Sequence, residues 1–135
     1  MKNYTVILAC IIVLSIASAK KQTKEERSKF KEVHEQCQND ERTCVDEMLI
    51  RNWFGGIFIE DDKLKNHMLC MAKGLNFINE NGKLNEHFIK SKWIEHYDGK
   101  EVKNLQECLK EKSTYVETSW DFFKCQHNAI NSVQQ

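Results

Sequence analysis

Residues 61–75 read DDKLKNHMLCMAKGL. Leu64, His67, Met68, Met71, Ala72 and Leu75 recur at i, i+3, i+4, i+7, i+8 and i+11, which is one broad face of an α-helix. Asp61 and Asp62 stand where the helix dipole favours negative charge, and Gly74 is placed to end the helix. Cys70 flanks the apolar face, so the helix can be tied covalently to another element. A plain core helix accounts for most of these residues. Met68 and Met71 add side chains suited to irregular, adaptable space.

Upstream, Ile57, Phe58 and Ile59 lead apolar side chains into this helix, and Gly55-Gly56 breaks the chain before them. Val45, Met48, Leu49, Asn52 and Trp53 mark a short amphipathic helix. Phe30, Val33 and Cys37 mark another, opened by a capping box of Thr23 and Glu26. Downstream, Asn81-Gly82 is a turn pair in the loop 76–82. A fourth helix is expected over 83–97, with Leu84, Phe88, Trp93 and Tyr97 broadly on one side, and Asp98-Gly99 ends it. Val102, Leu105, Cys108 and Leu109 mark a fifth, expected to run to Lys112. Thr114 and Glu117 cap the last helix. Val116, Ser119, Trp120, Phe123 and Ile130 follow one of its faces; Tyr115, Phe122, Cys125 and Ala129 follow the adjoining one. No stretch reads as a strand hairpin. The expected fold is all-α, with about six helices.

Residues 1–19 read as a secretory signal peptide: Lys2 gives a basic start, an apolar run covers 6–16, and Ala17-Ser18-Ala19 offers a small-residue cleavage site. The run is too short to span a bilayer. The expected mature domain is 20–135, about 116 residues, a single-domain length. Of 20 basic and 20 acidic residues, removal of Lys2 leaves 19 against 20, a net charge of −1. No basic stripe suits nucleic acid, and no block of Lys and Arg suits anionic lipid. No second apolar run is long enough for membrane insertion.

The signal also carries off Cys10, which leaves Cys37, Cys44, Cys70, Cys108 and Cys125. Disulfides are the default use of cysteine in a small secreted chain. Five is odd, so at least one thiol is free or pairs between molecules. Were the first two helices continuous, Cys37 and Cys44 would lie about 10.5 Å apart, against roughly 7 Å for a disulfide. That pair is disfavoured.

Enzymatic and metal chemistry finds no support. There is no Gly-x-Ser-x-Gly, no His-Glu-x-x-His and no glycine-rich phosphate loop. Helical secreted phospholipases would need adjacent cysteines and a His-Asp pair, and neither occurs. A calcium loop with Gly82 at its sixth position would begin at Phe77 and end at Phe88, where oxygen ligands are required. His34 with Cys37, and His67 with Cys70, have a spacing that zinc could use, but oxidising conditions favour disulfides for those sulfurs. The plain reading of the histidines is exposed or half-buried imidazole; pH sensing by one of them is the sharper one.

The order of helices and cysteines resembles the insect pheromone and general-odorant-binding proteins. In their common six-cysteine pattern, three residues separate the second and third cysteines and eight separate the fifth and sixth. Cys37, Cys70, Cys108 and Cys125 match the first, third, fourth and sixth. Asn66 and Val116 occupy the second and fifth positions, which pair with each other in the family. Their joint absence resembles the family's four-cysteine "Minus-C" branch. The run Asp61-Asp62-Lys63-Leu64-Lys65, Gly74 and the run Asn79-Glu80-Asn81-Gly82-Lys83-Leu84 also match its wording. Cys44 has no counterpart.

The resemblance implies a compact six-helix domain around an apolar cavity, without catalysis or cofactor. It implies disulfides Cys37–Cys70 and Cys108–Cys125, leaving Cys44 as the free thiol. A small hydrophobic molecule is the implied partner, with a membrane receptor as a further candidate and the chain a monomer or weak dimer. On this reading the protein is an extracellular carrier. Its cavity wall is expected from Met48, Leu49, Met68, Met71, Leu75, Phe88, Trp93, Val116, Trp120 and Phe123, with Tyr115 or Ser119 bonding a ligand oxygen. Without a cystine at 66 and 116, the segment 113–120 is expected to be the ligand gate. The rival reading is a secreted protein with a filled core that acts on another protein.

Overall fold

A computed structural model describes residues 23–133. The expected signal peptide and residues 20–22 lie outside the described residues. Six α-helices make the fold: α1 Lys24–Gln38, α2 Glu47–Phe54, α3 Asp62–Gly74, α4 Glu86–His96, α5 Gly99–Leu105 and α6 Tyr115–Val133. A single 3-10 turn, Gln106–Cys108, extends α5. Among the described residues there is no strand, only one antiparallel bridge between Ile78 and Leu84.

Local chemistry sets the helix starts. The Thr23 hydroxyl accepts from the Glu26 amide at 3.0 Å while the Glu26 carboxylate accepts from the Thr23 amide at 3.1 Å. Asp46, Asp61 and Asp98 cap α2, α3 and α5 through their side chains. On α3 the expected face is the buried one: Leu64, His67, Met68, Met71 and Ala72. Its end differs from expectation. Gly74 stays inside the helix, and Asn76, at φ 66°, takes the left-handed position. Phe77 N–H then bonds Ala72 O at 2.8 Å and Asn76 N–H bonds Lys73 O at 3.2 Å, a Schellman closure. Gly74 serves packing instead. A Cβ there would lie 2.4 Å from Val33 Cγ1, so its absence lets α1 approach α3 closely.

Two other boundaries shift. α4 starts at Glu86, not 83, because Leu84 is taken by the bridge and its N–H donates to Glu111 Oε1 at 2.9 Å. The fifth helix stops at Cys108, not Lys112, because residues 109–114 turn the chain into α6. The Lys112 amide bonds Thr118 Oγ1 at 2.9 Å across that turn.

The core gathers Trp120, Phe122, Leu64, Ile89 and Leu105, all almost fully buried, between α3, α4, α5 and α6. Two disulfides staple it. Cys37–Cys70 joins α1 to α3 and Cys108–Cys125 joins the 3-10 turn to α6. They close separations of 33 and 17 residues, worth about 3 to 4 kcal/mol each in the chain-entropy picture. Cys44 is free and exposed in the turn between α1 and α2.

Candidate functional site

Five helices converge on a cavity of about 380 Å³. α1 contributes Phe30, the end of α2 contributes Trp53 and Phe54, and α3 contributes Met68 and Met71, followed by Leu75. Phe77, Phe88 on α4, and Tyr97 close another side. Phe123, Gln126, His127 and Ile130 of α6 complete the wall. Exposed Glu25, Lys29 and Asn76 mark where the cavity meets solvent. The wall is built from ring contacts: Phe30 meets Phe54 at 5.9 Å, Trp53 meets Phe123 at 5.7 Å, and Phe77 meets both Phe88 and Phe123 at 6.0 Å.

Of the expected wall, Met68, Met71, Leu75, Phe88 and Phe123 border this cavity. The others do not. Met48 is 52 % exposed, because Asp46 caps α2 and turns its first residues to solvent. Leu49 packs against the core. Trp93 lies buried behind the wall, stacked on Phe122 at 6.2 Å. Tyr115 is 53 % exposed and lies over Gly82, where a Cβ would meet its ring at 2.1 Å. Ser119 Oγ spends its donor on Val116 O at 3.0 Å. Trp120 faces Glu60, Lys65 and Lys124 on the far side of α6. The segment 113–120, Val116 included, therefore does not border the cavity, and the Thr114 and Thr118 hydroxyls and the Lys65–Glu117 ion pair hold it as well as packing.

Trp53, Phe54, Phe30, Phe77, Tyr97, Gln126, His127 and Ile130 escaped the sequence reading as wall residues. For α6 the signal existed: 123, 126, 127 and 130 follow i, i+3, i+4 and i+7, but two of the four are polar.

Charge is confined to the opening. Glu26, besides capping α1, accepts from His96 Nε2 at 2.7 Å, and Lys92 lies 3.7 Å from it and 3.3 Å from Glu95. Burial opposes the Glu26 charge, but bonds from the Thr23 amide, His96 and the Thr23 hydroxyl hold its carboxyl below the usual range. Glu26, Glu95 and His96 could each offer a metal ligand within 4.8 Å of the others. The Lys92 ammonium lies within 3.7 Å of Glu26 and 3.3 Å of Glu95 and so already stands where a cation would bind.

A second polar cluster lies between α1 and α3. His67 Nδ1 sits 2.8 Å from Thr43 O, an acceptor only, so Nδ1 carries the proton. His34 Nδ1 then donates to His67 Nε2 at 3.2 Å, and His34 Nε2 faces Glu47 Oε1 at 3.3 Å. Burial pushes both imidazoles down, His67 to about 4.

The geometry is that of an apolar container, and the profile of the PBP/GOBP family matches residues 19–129. The chain belongs to the PBP/GOBP family. PBP/GOBP proteins are carriers of small ligands rather than enzymes. Comparison with curated proteins finds no match, and neither does comparison with solved structures. Among the described residues no helix is long and apolar enough to cross a membrane.

Proposed function

We propose that this protein is a secreted carrier that holds one small hydrophobic molecule of the odorant, pheromone or fatty-acid type. The observation that carries the reading is the apolar, aromatic-walled cavity of about 380 Å³ in a chain of a carrier family. Sites for small molecules fall in the range of roughly 300–1,000 Å³. A ligand with about ten to fifteen apolar carbons gains about 0.8 kcal/mol per buried CH₂. Ordering the ligand and imperfect desolvation subtract several kcal/mol. The balance falls near micromolar affinity, about −8 kcal/mol. The signal-like residues 1–19 support secretion.

We place the chain in the four-cysteine branch of the family. Two disulfides, with Asn66 and Val116 where a third would stand, support that placement. Lys65 and Glu117, the sequence neighbours of those positions, form an ion pair at 3.0 Å.

N-phenyl-1-naphthylamine should brighten saturably in the cavity and be displaced by several long-chain esters, alcohols or terpenes. Phe123→Asp should weaken its binding at least tenfold with helicity retained, while Met48→Lys, on the exposed side of α2, should leave it unchanged. A folded protein that binds neither probe nor panel refutes the carrier and favours action on another protein.

A further inference from the structure

Besides His127, whose Nε2 accepts from Asn131 Nδ2 at 2.8 Å, the apolar wall contains three polar groups whose hydrogen-bonding capacity no described residue uses. Trp53 Nε1 is buried without a partner. The Tyr97 hydroxyl makes no hydrogen bond to a described residue, and neither does the carboxamide nitrogen of Gln126. All three can donate. Trp53 Nε1 is screened by the surrounding rings of Phe54, Phe58 and Phe123. Tyr97 and Gln126 both line the cavity.

The orientation of Gln126 is not free. Trp93 Nε1 lies 3.1 Å from Gln126 Oε1, and an indole nitrogen can only donate. The amide must therefore turn its oxygen to Trp93 and its NH₂ the other way. Trp93 is itself buried and stacked on Phe122, so the anchor is rigid. Tyr97 follows one turn later at the end of α4, its N–H bonded to Trp93 O at 2.8 Å, so Tyr97 and the anchor of Gln126 share the last turn of α4. Burial, with Glu101 nearby, pushes the Tyr97 hydroxyl up to about 12, and it keeps its proton at neutral pH.

We infer that Gln126, held by Trp93, and Tyr97 form the polar end of the cavity and favour ligands carrying a carbonyl oxygen over hydrocarbons of the same shape. The inference rests on the carrier reading and adds a ligand class to it. An oxygen that only accepts satisfies two donors at once. The charges at the opening, Glu25 and Glu26 against Lys29 and Lys92, balance and do not select for or against a carboxylate.

The test compares 2-tridecanone with 2-methyl-1-tridecene, which replaces the carbonyl oxygen by CH₂ at nearly the same shape. Each displaces N-phenyl-1-naphthylamine from the wild type and from Gln126→Met, Gln126→Glu and Tyr97→Phe. Gln126→Glu keeps an acceptor for Trp93 and loses the donor once ionised, so its ketone-to-alkene ratio read at pH 6 and at pH 9 separates ligand binding from support of the wall. In both Gln126 variants the ketone-to-alkene affinity ratio should fall roughly tenfold, the effect of a buried acceptor left unpaired. In Tyr97→Phe it should fall several-fold, with alkene affinity within about twofold throughout. Circular dichroism identifies any variant that fails to fold, and the remaining ones decide. An unchanged ratio in every folded variant, with both compounds still displacing the probe, overturns the inference and leaves the carrier standing. Failure of both compounds to displace the probe from the wild type removes both.

Discussion

The His34–His67 pair makes stability depend on pH in a direction the structure fixes. His67 is completely buried, donates to Thr43 O and accepts from His34, so a second proton would have to enter against the His34 N–H. Burial, reinforced by neighbouring His34, pushes it from 6.5 to about 4. A base whose pKa is depressed by folding takes up its proton more readily when unfolded. Its contribution is therefore intact above about pH 6.5 and is lost as pH falls toward about 4, at about 1.4 kcal/mol per pH unit. Between pH 7 and pH 5 the loss from His67 alone is about 2 kcal/mol, and His34, also pushed down, adds in the same direction. This window lies above the titration of most carboxylates, so acid protonation of Glu26 and Glu60 contributes little to it.

Urea unfolding followed by tryptophan fluorescence at pH 7 and pH 5, without ligand, measures the difference. His67→Asn keeps a donor near Thr43 O and cannot titrate. It should be less stable than wild type at pH 7 yet lose about 2 kcal/mol less on going to pH 5. Equal losses in wild type and variant would refute the assignment of the neutral, singly protonated imidazole to His67.

Gly82→Ala should destabilise by about 1 to 2 kcal/mol, because Gly82 sits at φ 77° and a Cβ would strike the Tyr115 ring. Adding Tyr115→Ala should recover the steric part and leave the backbone part, read by the same urea midpoints. Asn66→Cys with Val116→Cys should form a disulfide worth about 4 kcal/mol in the chain-entropy picture and raise the melting temperature. The ligand off-rate should stay unchanged, since 113–120 does not border the cavity; a slowed off-rate would restore that segment as the gate. Iodoacetamide on the native, unreduced protein should label Cys44 alone by mass mapping. Label at any of the four paired cysteines would contradict the disulfide assignment.

The helices were legible in the sequence because their signals are local. Caps at Thr23, Asp61 and Thr114, and the 3.6-residue spacing of Leu64, His67, Met68, Met71 and Ala72, act within a turn or two of chain. The boundaries that shifted were set by partners far away in sequence. Val33, 41 residues from Gly74, decides that this glycine is for close packing rather than for ending α3. Glu111, 27 residues from Leu84, helps keep the start of α4 unwound.

The cavity was only half legible, and α6 shows why. Apolar periodicity says which face of a helix leaves water, but not whether it meets solid core or open space. On α6 both occur along one helix. Ser119 and Trp120 enter packed surroundings beside Glu60 and Lys65, whereas Phe123, Gln126, His127 and Ile130 meet the void. The division falls near Cys125, where the disulfide to Cys108 fixes α6 beside the 3-10 turn and its later residues run opposite α1. A hydrophobic count also discards Gln126 and Tyr97 as polar or marginal, although a container that chooses among apolar ligands needs a few such groups on its wall. The residues that give this site its chemistry are therefore the ones an apolar pattern passes over, and the Trp93–Gln126 bond that orients them becomes visible only when α4 and α6 are set side by side.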